Sequence, residues 1–296
     1  MVIRHSAEPF GARLRAAMDD AGPLCAGIDP HAGLLDAWGL TDDAAGLETF
    51  ALRCVEAFAG VVACVKPQSA FFERHGAAGV AVLERTLAAL RESGTLCILD
   101  VKRGDIGSTM GAYAQAYLGD GSSLATDAIT VSPYLGYGSL RPALDLAAET
   151  GRGVFVLALT SNPEGPDVQH ARSDPATGRE RGSVAGTIVA GVTADNESAR
   201  AQGRLGSVGM VVGATVGDAV ERLGLDLAAA NAPLLAPGVG AQGASGQDVR
   251  AVFGAALPAV LASSSREILS AGPQVVALRE AARRTAAHFA DLWGAP

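Results

Sequence analysis

Short, almost wholly apolar runs alternate with longer segments of helical periodicity along most of the chain. Within these runs apolar residues follow one another without alternating polar ones, which is typical of parallel strands buried on both faces. The predicted strands span residues 24–29, 61–66, 95–101, 127–132, 154–160, 208–214, 234–237 and 258–264. The predicted helices that follow them span residues 41–59, 76–92, 108–117, 138–149, 183–203, 217–230, 246–254 and 273–293.

Eight strand–helix pairs in a chain of 296 residues predict an α/β fold of the (β/α)8 TIM barrel type. An open, doubly wound sheet is the alternative that the pattern leaves open. We expect residues 1–296 to form a single barrel domain. A polar insert at about 161–182 interrupts the rhythm, and it could be a lid, an interface arm or a tolerated insertion.

Composition and charge restrict the ligands and the cellular compartment that we expect for the protein. The net charge of −8 argues against general affinity for nucleic acid, so an anionic ligand would need local basic groups. The four cysteines lack C-x-x-C spacing and three lie in apolar runs, which predicts buried free thiols and a cytoplasmic location. The N-terminus is unlike a signal peptide, and Pro and Gly interrupt the uncharged segment 227–247, so we expect no membrane span.

Opposite charges alternate at the end of the third predicted strand, where the sequence reads Asp100-Val-Lys102-Arg-Gly-Asp105. Asp100 and Lys102 are two residues apart, so on a strand they project from the same face. A single Asp–Lys pair of this kind is more often a structural ion pair than part of a functional site. Its position at the carboxyl end of a parallel strand, however, is where α/β proteins place ligand sites.

Polar or charged residues end most of the other predicted strands too, although the strand bodies are apolar. In a barrel these ends converge at one rim, so we expect them to form one site. The residues concerned are Asp29, Lys66, Asp100 with Lys102, Ser132, Thr160, Pro237 with Gln242, and Arg266.

The last two strand ends resemble a phosphate site. The loop at residues 237–243 is rich in glycine, and the loops after strands 7 and 8 of such barrels frequently bind phosphate through backbone N–H groups. Arg266 would supply a cationic donor and Gln242 a neutral one. A flexible surface loop beside an ordinary arginine is the alternative. The loop also matches G-x-G-x-x-G, but Ser263 stands where a dinucleotide fold would need an acid, so we reject that interpretation.

Lys66, Asp100, Lys102 and Asp105 form a second predicted cluster, which is electrically neutral. No nucleophilic serine with a histidine partner and no cofactor motif accompanies it. The scattered histidines show no metal-binding spacing, so we expect no metal site. Proton transfer and electrostatic stabilisation are therefore the chemistry that the residues indicate. Asp29 could bind ligand hydroxyls or merely open a turn.

Five motifs in order along the chain resemble those of the orotidine 5′-phosphate decarboxylase family, in its bacterial type 2 subgroup. In chain order they are Lys66-Pro-Gln-Ser-Ala-Phe-Phe-Glu73, Asp100-Val-Lys-Arg-Gly-Asp-Ile106, Ser132-Pro-Tyr-Leu-Gly136, Thr160-Ser-Asn-Pro163 and Pro237-Gly-Val-Gly-Ala-Gln242. The resemblance implies removal of CO₂ from orotidine 5′-monophosphate to give UMP, the last step of de novo pyrimidine nucleotide synthesis. It also implies that neither a metal nor an organic cofactor takes part.

The resemblance implies a role for each residue of the charged cluster. Lys102 would donate a proton to the pyrimidine carbon that loses its carboxylate, and Asp100 would hold Lys102 close to the departing group. Lys66 would complete the ionic chain on the ribose side. Asp105 would reach into the site of a neighbouring subunit together with Ile106 and Thr109, which makes the expected enzyme a homodimer with shared active sites.

The substrate-binding residues follow from the same resemblance. Asp29 would bind the ribose hydroxyls and Ser132 the pyrimidine, while Gln242 and Arg266 would bind the phosphate. Pro237 belongs to the same substrate-binding set. The insert has no clear counterpart in the family, so no role is assigned to it.

Two rival functions remain open at this point. Hexulose-phosphate synthases and keto-gulonate-phosphate decarboxylases share the D-x-K-x-x-D motif but use Mg²⁺ and carry an acid where this chain has Lys66. A lysine there adds positive charge beside the cation and disfavours this rival. The other rival is a nucleotide-binding barrel without catalytic activity, which the complete acid–base set makes less favourable.

Overall fold

The structure is a computed structural model, and it describes residues 8–172, 182–240 and 243–294. Eight parallel strands close into a barrel in the order of the chain, which confirms the predicted (β/α)8 fold; the open sheet is wrong. The strands are β1 (Leu24–Ile28), β2 (Cys64–Pro67), β3 (Leu96–Arg103), β4 (Ala128–Val131), β5 (Gly153–Leu159), β6 (Val208–Val212), β7 (Leu234–Pro237) and β8 (Val260–Ser264).

Helices surround the barrel, and several short ones lie in the connections. They are α1 (Phe10–Ala21), α2 (Ala32–Ala37), α3 (Ala44–Phe58), α4 (Ala70–Glu73), α5 (Gly76–Ser93), α6 (Gly107–Leu118), α7 (Arg141–Glu149), α8 (Gly165–Gln169), α9 (Val184–Asp195), α10 (Glu197–Ala201), α11 (Ala219–Arg222), α12 (Gly246–Phe253), α13 (Arg266–Leu269) and α14 (Val275–Trp293). Two 3₁₀ helices, Tyr137–Leu140 and Gly254–Ala259, complete the described elements.

Two predicted helices differ from the observed ones for local reasons. The predicted helix at 183–203 is interrupted at Asn196, whose buried side-chain amide donates to the carbonyls of Val208 and Ala230. The predicted helix at 217–230 is wrong over most of its length, because α11 ends before Gly224. Gly224 adopts the left-handed backbone (φ 64°) that stops a helix.

A short apolar core fills the amino-terminal half of the barrel. Its residues include Phe10, Leu14 and Met18 from α1, which packs across the bottom of the barrel before the first strand begins. Phe155 packs edge-to-face on Phe10 inside this core. A larger core fills the space between the strands and the surrounding helices. Because apolar side chains fill the lower half, a ligand can enter only from the carboxyl ends of the strands.

The rows of inward-facing residues change from apolar to polar along each of three strands. On β2 the row is Cys64, Lys66 and then Gln68, and on β3 it is Ile98, Asp100 and Lys102; on β4 it is Ala128 and Thr130. This change sets the floor of the site at the middle of the barrel.

Other predictions have mixed outcomes. All four cysteines are free and buried, as predicted. No helix in the described ranges is long and apolar enough to cross a membrane. Of the insert, the structure describes α8 and a bridge between Arg172 and Ser183, while residues 173–181 lie outside the described residues.

Candidate active site

A cavity of about 300 Å³ opens at the carboxyl ends of the strands. The following residues predicted for the site line it: Asp29, Lys66, Asp100, Lys102, Pro237 and Arg266. These residues come from five strands or the loops that follow them, as expected if the strand ends of a barrel converge.

Of the other predicted residues, most do not line this cavity. Asp105, Ile106 and Thr109 lie after β3 on the outer rim, and Ser132 follows β4 with its backbone N–H bonded to the carbonyl of Arg103. Thr160, which follows β5, does line the cavity. Gln242 lies outside the described residues.

Lys66, Asp100 and Lys102 form a continuous charged row on the cavity floor. The Lys66 Nζ atom lies 3.1 Å from Asp100 Oδ2, and the Lys102 Nζ atom lies 2.6 Å from Asp100 Oδ1. Lys66 Nζ also lies 3.9 Å from Asp29 Oδ1, which extends the row to β1. The charges alternate in sign along the whole row, so every charge has an opposite neighbour.

Two neutral side chains complete the environment of Asp100, and the sequence reasoning did not identify either. The Gln68 amide donates to Asp100 Oδ2 (3.0 Å) and the Thr130 hydroxyl donates to Oδ1 (2.7 Å). Gln68 is two residues after Lys66 and therefore shares its face, which was an available signal. Thr130 was also visible as a hydroxyl within an apolar run, but only its strand partner shows what that hydroxyl contacts.

Asp100 and Lys66 are both held in their charged forms. Burial disfavours the Asp100 carboxylate, but the ammonium groups of Lys66 and Lys102 outweigh it and hold the pKa of Asp100 well below its usual range. Burial likewise opposes the charged form of Lys66, yet the carboxylates of Asp29 and Asp100 raise the Lys66 pKa above its ordinary value. Both groups of this pair therefore remain charged across the neutral pH range.

The two lysines of the row differ in their exposure. The Lys66 side chain is 8% exposed, whereas that of Lys102 is 46% exposed and points into the open part of the cavity. Lys102 is thus the ammonium that an entering ligand can contact most directly.

Asp29 offers an acceptor that is not used within the described protein. Its Oδ1 atom is buried and has no hydrogen-bond donor among the described residues, although Lys66 lies within ion-pair distance. A buried carboxylate oxygen without a donor is costly unless a ligand supplies one. Asp29 can therefore accept hydrogen bonds from ligand hydroxyls.

The side of the cavity formed by the ends of β7 and β8 is suited to an anion. Ser264 ends β8 and Ser265 and Arg266 follow it, and the Arg266 guanidinium has no hydrogen-bond or ion-pair partner among the described residues. Gly238 adopts a positive φ of 91° after β7, which lets the backbone pass close to a ligand. The cavity is thus lined by three cationic groups, Lys66 and Lys102 from β2 and β3 and Arg266 after β8.

Comparison with known proteins gives consistent matches over nearly the whole chain. The profile of the Orotidine 5′-phosphate decarboxylase / HUMPS family matches residues 22–281. The orotidine 5′-phosphate decarboxylase of Salinispora tropica is 60% identical over 280 residues, which cover 95% of this chain and 96% of that protein. That of Streptomyces coelicolor is 59% identical over 284 residues, covering 95% and 97%.

Solved structures also match. A crystal structure assigned to orotidine 5′-phosphate decarboxylase from Streptomyces avermitilis has a TM-score of 0.91 and 56% identity, covering 100% of this chain and 99% of that one. The structure of OMP decarboxylase from Leishmania donovani has a TM-score of 0.72 and 30% identity, covering 97% and 100%.

The lowered pKa of Asp100 predicts how the stability of the fold depends on acid. The carboxylate stabilises the native state above its unfolded pKa of about 4, and this contribution is lost as the pH falls. Asp100→Asn removes it and leaves two ammonium groups without their carboxylate, so we expect a loss of about 3–5 kcal/mol at neutral pH. The variant should lose less further stability than the parent between about pH 5 and pH 3.

Urea unfolding at a series of pH values measures this difference. Asp36→Asn, at an exposed position on α2, is the matched control and should follow the parent curve. An Asp100→Asn curve parallel to the parent's would show that Asp100 does not carry this charge-dependent stability.

Proposed function

The chain belongs to the orotidine 5′-phosphate decarboxylase family, and on that premise we propose how its site residues divide the work of the reaction. The family membership confirms the resemblance that the five sequence motifs indicated. The reaction is decarboxylation of orotidine 5′-monophosphate to UMP, in pyrimidine biosynthesis. The observation that carries the proposed roles is the alternating row of Asp29, Lys66, Asp100 and Lys102 on the cavity floor.

Lys102 is the proton donor in this proposal. When the bond between the pyrimidine ring and its carboxylate breaks, the electron pair stays on the ring carbon and CO₂ leaves. The Lys102 ammonium is the exposed cation of the row, so it can stabilise that charge and then deliver a proton to the same carbon. Proton donation of this kind contributes roughly 10²–10⁴-fold, so the fixed charges around it must supply more.

Asp100 and Lys66 supply those fixed charges. Asp100 orients Lys102 through the 2.6 Å contact and carries its negative charge beside the position of the departing carboxylate. Lys66 neutralises Asp100 from below and stays in place because it is buried. Since these charges are set before the substrate binds, little reorganisation accompanies the loss of CO₂.

Binding energy comes from parts of the substrate that do not react. Asp29 accepts hydrogen bonds from the ribose hydroxyls, which supply the donor that its Oδ1 atom lacks. Arg266 and the loop that begins at Pro237 bind the phosphate, with Gln242 as an additional donor from outside the described residues. Ser132 remains our candidate for the pyrimidine, although it lies beyond the cavity wall that the structure shows. Remote contacts of this kind can be used to organise the reacting end.

The position of Lys66 also favours a reaction without a metal. The matching family model covers the orotidine 5′-phosphate decarboxylases together with a second group, HUMPS. In this chain the Lys66 ammonium lies between the carboxylates of Asp29 and Asp100 and interacts with both. A divalent cation held by these two carboxylates would lie beside that ammonium and be repelled by it.

We further propose that the enzyme is a homodimer with shared active sites, in the cytoplasm. Asp105, Ile106 and Thr109 stand on the rim of the barrel, and Ile106 is 61% exposed. Tyr134 and Leu135, after β4, are also exposed. An exposed apolar group at the rim of the site is suited to a second copy, which would bring its Asp105 to the cavity of the first. The four free thiols fit a reducing compartment.

The first test concerns the reaction and its independence of metal. Purified enzyme in excess EDTA is expected to convert orotidine 5′-monophosphate to UMP at the same rate as in added Mg²⁺, measured by the change in ultraviolet absorbance. Activity that requires Mg²⁺, or turnover of sugar phosphates alone, would contradict the proposal.

The second test concerns Lys102. Lys102→Ala should lower kcat by at least about 100-fold, because both the proton donor and its positive charge are lost. Binding of UMP, measured by calorimetry, should persist and show that the site is still formed. Arg103→Ala is the matched control on the same strand, since Arg103 pairs with Glu73 outside the cavity and the variant should remain active. A Lys102→Ala enzyme of near-normal rate would refute the role.

The third test concerns the shared site. Inactive Lys102→Ala and Asp105→Ala chains are mixed under conditions that allow subunit exchange. Activity should recover to at most about one quarter of the parent value, because half of the dimers are hybrids and each hybrid has one intact site. Mixing Lys102→Ala with Asp100→Asn should recover nothing, since both changes then damage the chain's own site. If exchange is demonstrated and the first mixture stays inactive, Asp105 does not act across the interface.

A further inference from the structure

Strand β3 carries extra residues where it passes β4, and Thr130 lies opposite them. Leu99 pairs with Ile129 and Arg103 pairs with Val131, so three residues of β3 face the single residue Thr130. Two of the three are Asp100 and Lys102. The irregularity therefore falls on the charged row itself and not on the apolar part of the strand.

The regular backbone pairing of β3 with β4 is interrupted between Leu99 and Arg103. At this point the Thr130 side chain makes two hydrogen bonds to β3 instead. Its hydroxyl oxygen accepts the Lys102 backbone N–H (3.0 Å), and its hydroxyl hydrogen is donated to Asp100 Oδ1 (2.7 Å). A hydroxyl has one donor and two acceptor positions, so both bonds can form at once. Thr130 is 1% exposed, so water does not compete for either bond.

The backbone of Lys102 needs such support. It is in the left-handed region, with φ of 46°, which is unfavourable for a residue with a side chain. This conformation directs the Lys102 side chain over the cavity and back to Asp100 Oδ1, the same oxygen that Thr130 contacts. One hydroxyl thus contacts both the backbone of the proton donor and the carboxylate that orients its ammonium.

We propose that Thr130 is a positioning residue for the decarboxylation, because its hydroxyl fixes Lys102 and Asp100 in their reactive arrangement. This inference rests on the proposed role of Lys102. Thr130 acts through these two residues, and its contribution is to the chemical step and not to the phosphate or ribose contacts. The β-branch of threonine restricts its rotamer, which keeps the hydroxyl between its two partners.

The hydrogen bonds around Asp100 oppose a movement or protonation of its side chain when the substrate binds. A substrate carboxylate placed near Asp100 favours rotation of the Asp100 side chain or its protonation, and either would relieve the repulsion. Thr130 and Lys102 hold Oδ1, while Lys66 and Gln68 hold Oδ2, so neither oxygen is free to turn away. The charge of Asp100 therefore remains where the developing charge requires it.

Thr130→Val tests the proposal, since valine keeps the shape and removes both hydrogen bonds. We expect kcat to fall about 10- to 100-fold, with KM for orotidine 5′-monophosphate within about 3-fold of the parent. Thr130→Ser retains the hydroxyl and should keep kcat within about 3-fold of the parent. The Lys102 amide should also exchange its hydrogen faster in Thr130→Val than in the parent, because it has lost its acceptor.

Thr126→Val is the matched control from the same region of the chain. Thr126 is also buried, and its hydroxyl donates to the carbonyl of Cys97 at the opposite end of the barrel from the cavity. This variant should lose stability but keep the parent kcat. If it lost kcat as Thr130→Val does, the effect would be one of general stability and the proposal would be wrong.

The other outcomes are also decisive. An unchanged kcat in Thr130→Val, or a Thr130→Ser enzyme as slow as Thr130→Val, would overturn the proposal. If Thr130→Val does not fold, Thr130→Cys, which keeps only a weak donor and acceptor, must show the same selective loss of kcat. If Lys102→Ala is active, the proposed proton donor fails; if Lys102→Ala is inactive while Thr130→Val is fully active, only the present inference fails.

Discussion

The carboxylate of Asp100 receives four hydrogen bonds, two on each oxygen, at the point where the apolar half of the barrel meets the cavity. A buried carboxylate with fewer partners would be neutralised by protonation or would destabilise the fold. Its donors come from β2, β3, β4 and the residue after β2, so this set of hydrogen bonds exists only when those three strands are paired. The charged row therefore depends on the pairing of these strands.

The interior of the barrel has an apolar lower half directly beneath the charged row. The lower half contains Phe10, Leu14 and other apolar groups, and α1 closes it from below. Charges above such a floor are poorly screened on one side, so their interactions are stronger than they would be in water. The apolar floor thus serves the chemistry as well as the stability, since it keeps the fields of Lys66 and Asp100 directed into the cavity.

Sequence reasoning was sufficient for the fold, and for features that a single segment encodes. Buried apolar runs and their spacing predicted the eight strands, because each strand is apolar on both faces whatever its neighbours are. The two-residue spacing of Asp100 and Lys102 predicted that both face one side, and both line the cavity. The helix at 217–230 was wrong because the pattern of apolar residues does not register a single left-handed glycine.

Features that depend on two segments could not be predicted in this way. The extra residues of β3 become visible only against β4, and without them Thr130 is an ordinary hydroxyl in a strand. Gln68 likewise acquires its role from the neighbouring strand. Which of the strand-end residues reach the cavity is also a matter of register, since Thr160 lines it and Ser132 does not.

The D-x-K-x-x-D motif does not by itself choose the chemistry, because an Asp and a Lys at a strand end suit either a metal site or an ion-pair network. In this chain a residue of the preceding strand favours the ion-pair network. Lys66 brings a positive charge to within 3.1 Å of Asp100 and 3.9 Å of Asp29, where it takes the electrostatic place of a bound cation. A covalently attached ammonium cannot be exchanged or removed, and in the proposed mechanism it leaves Lys102 as the group that contacts the substrate. A fixed charge at this point is therefore consistent with decarboxylation by charge placement and proton donation, the chemistry proposed for this site.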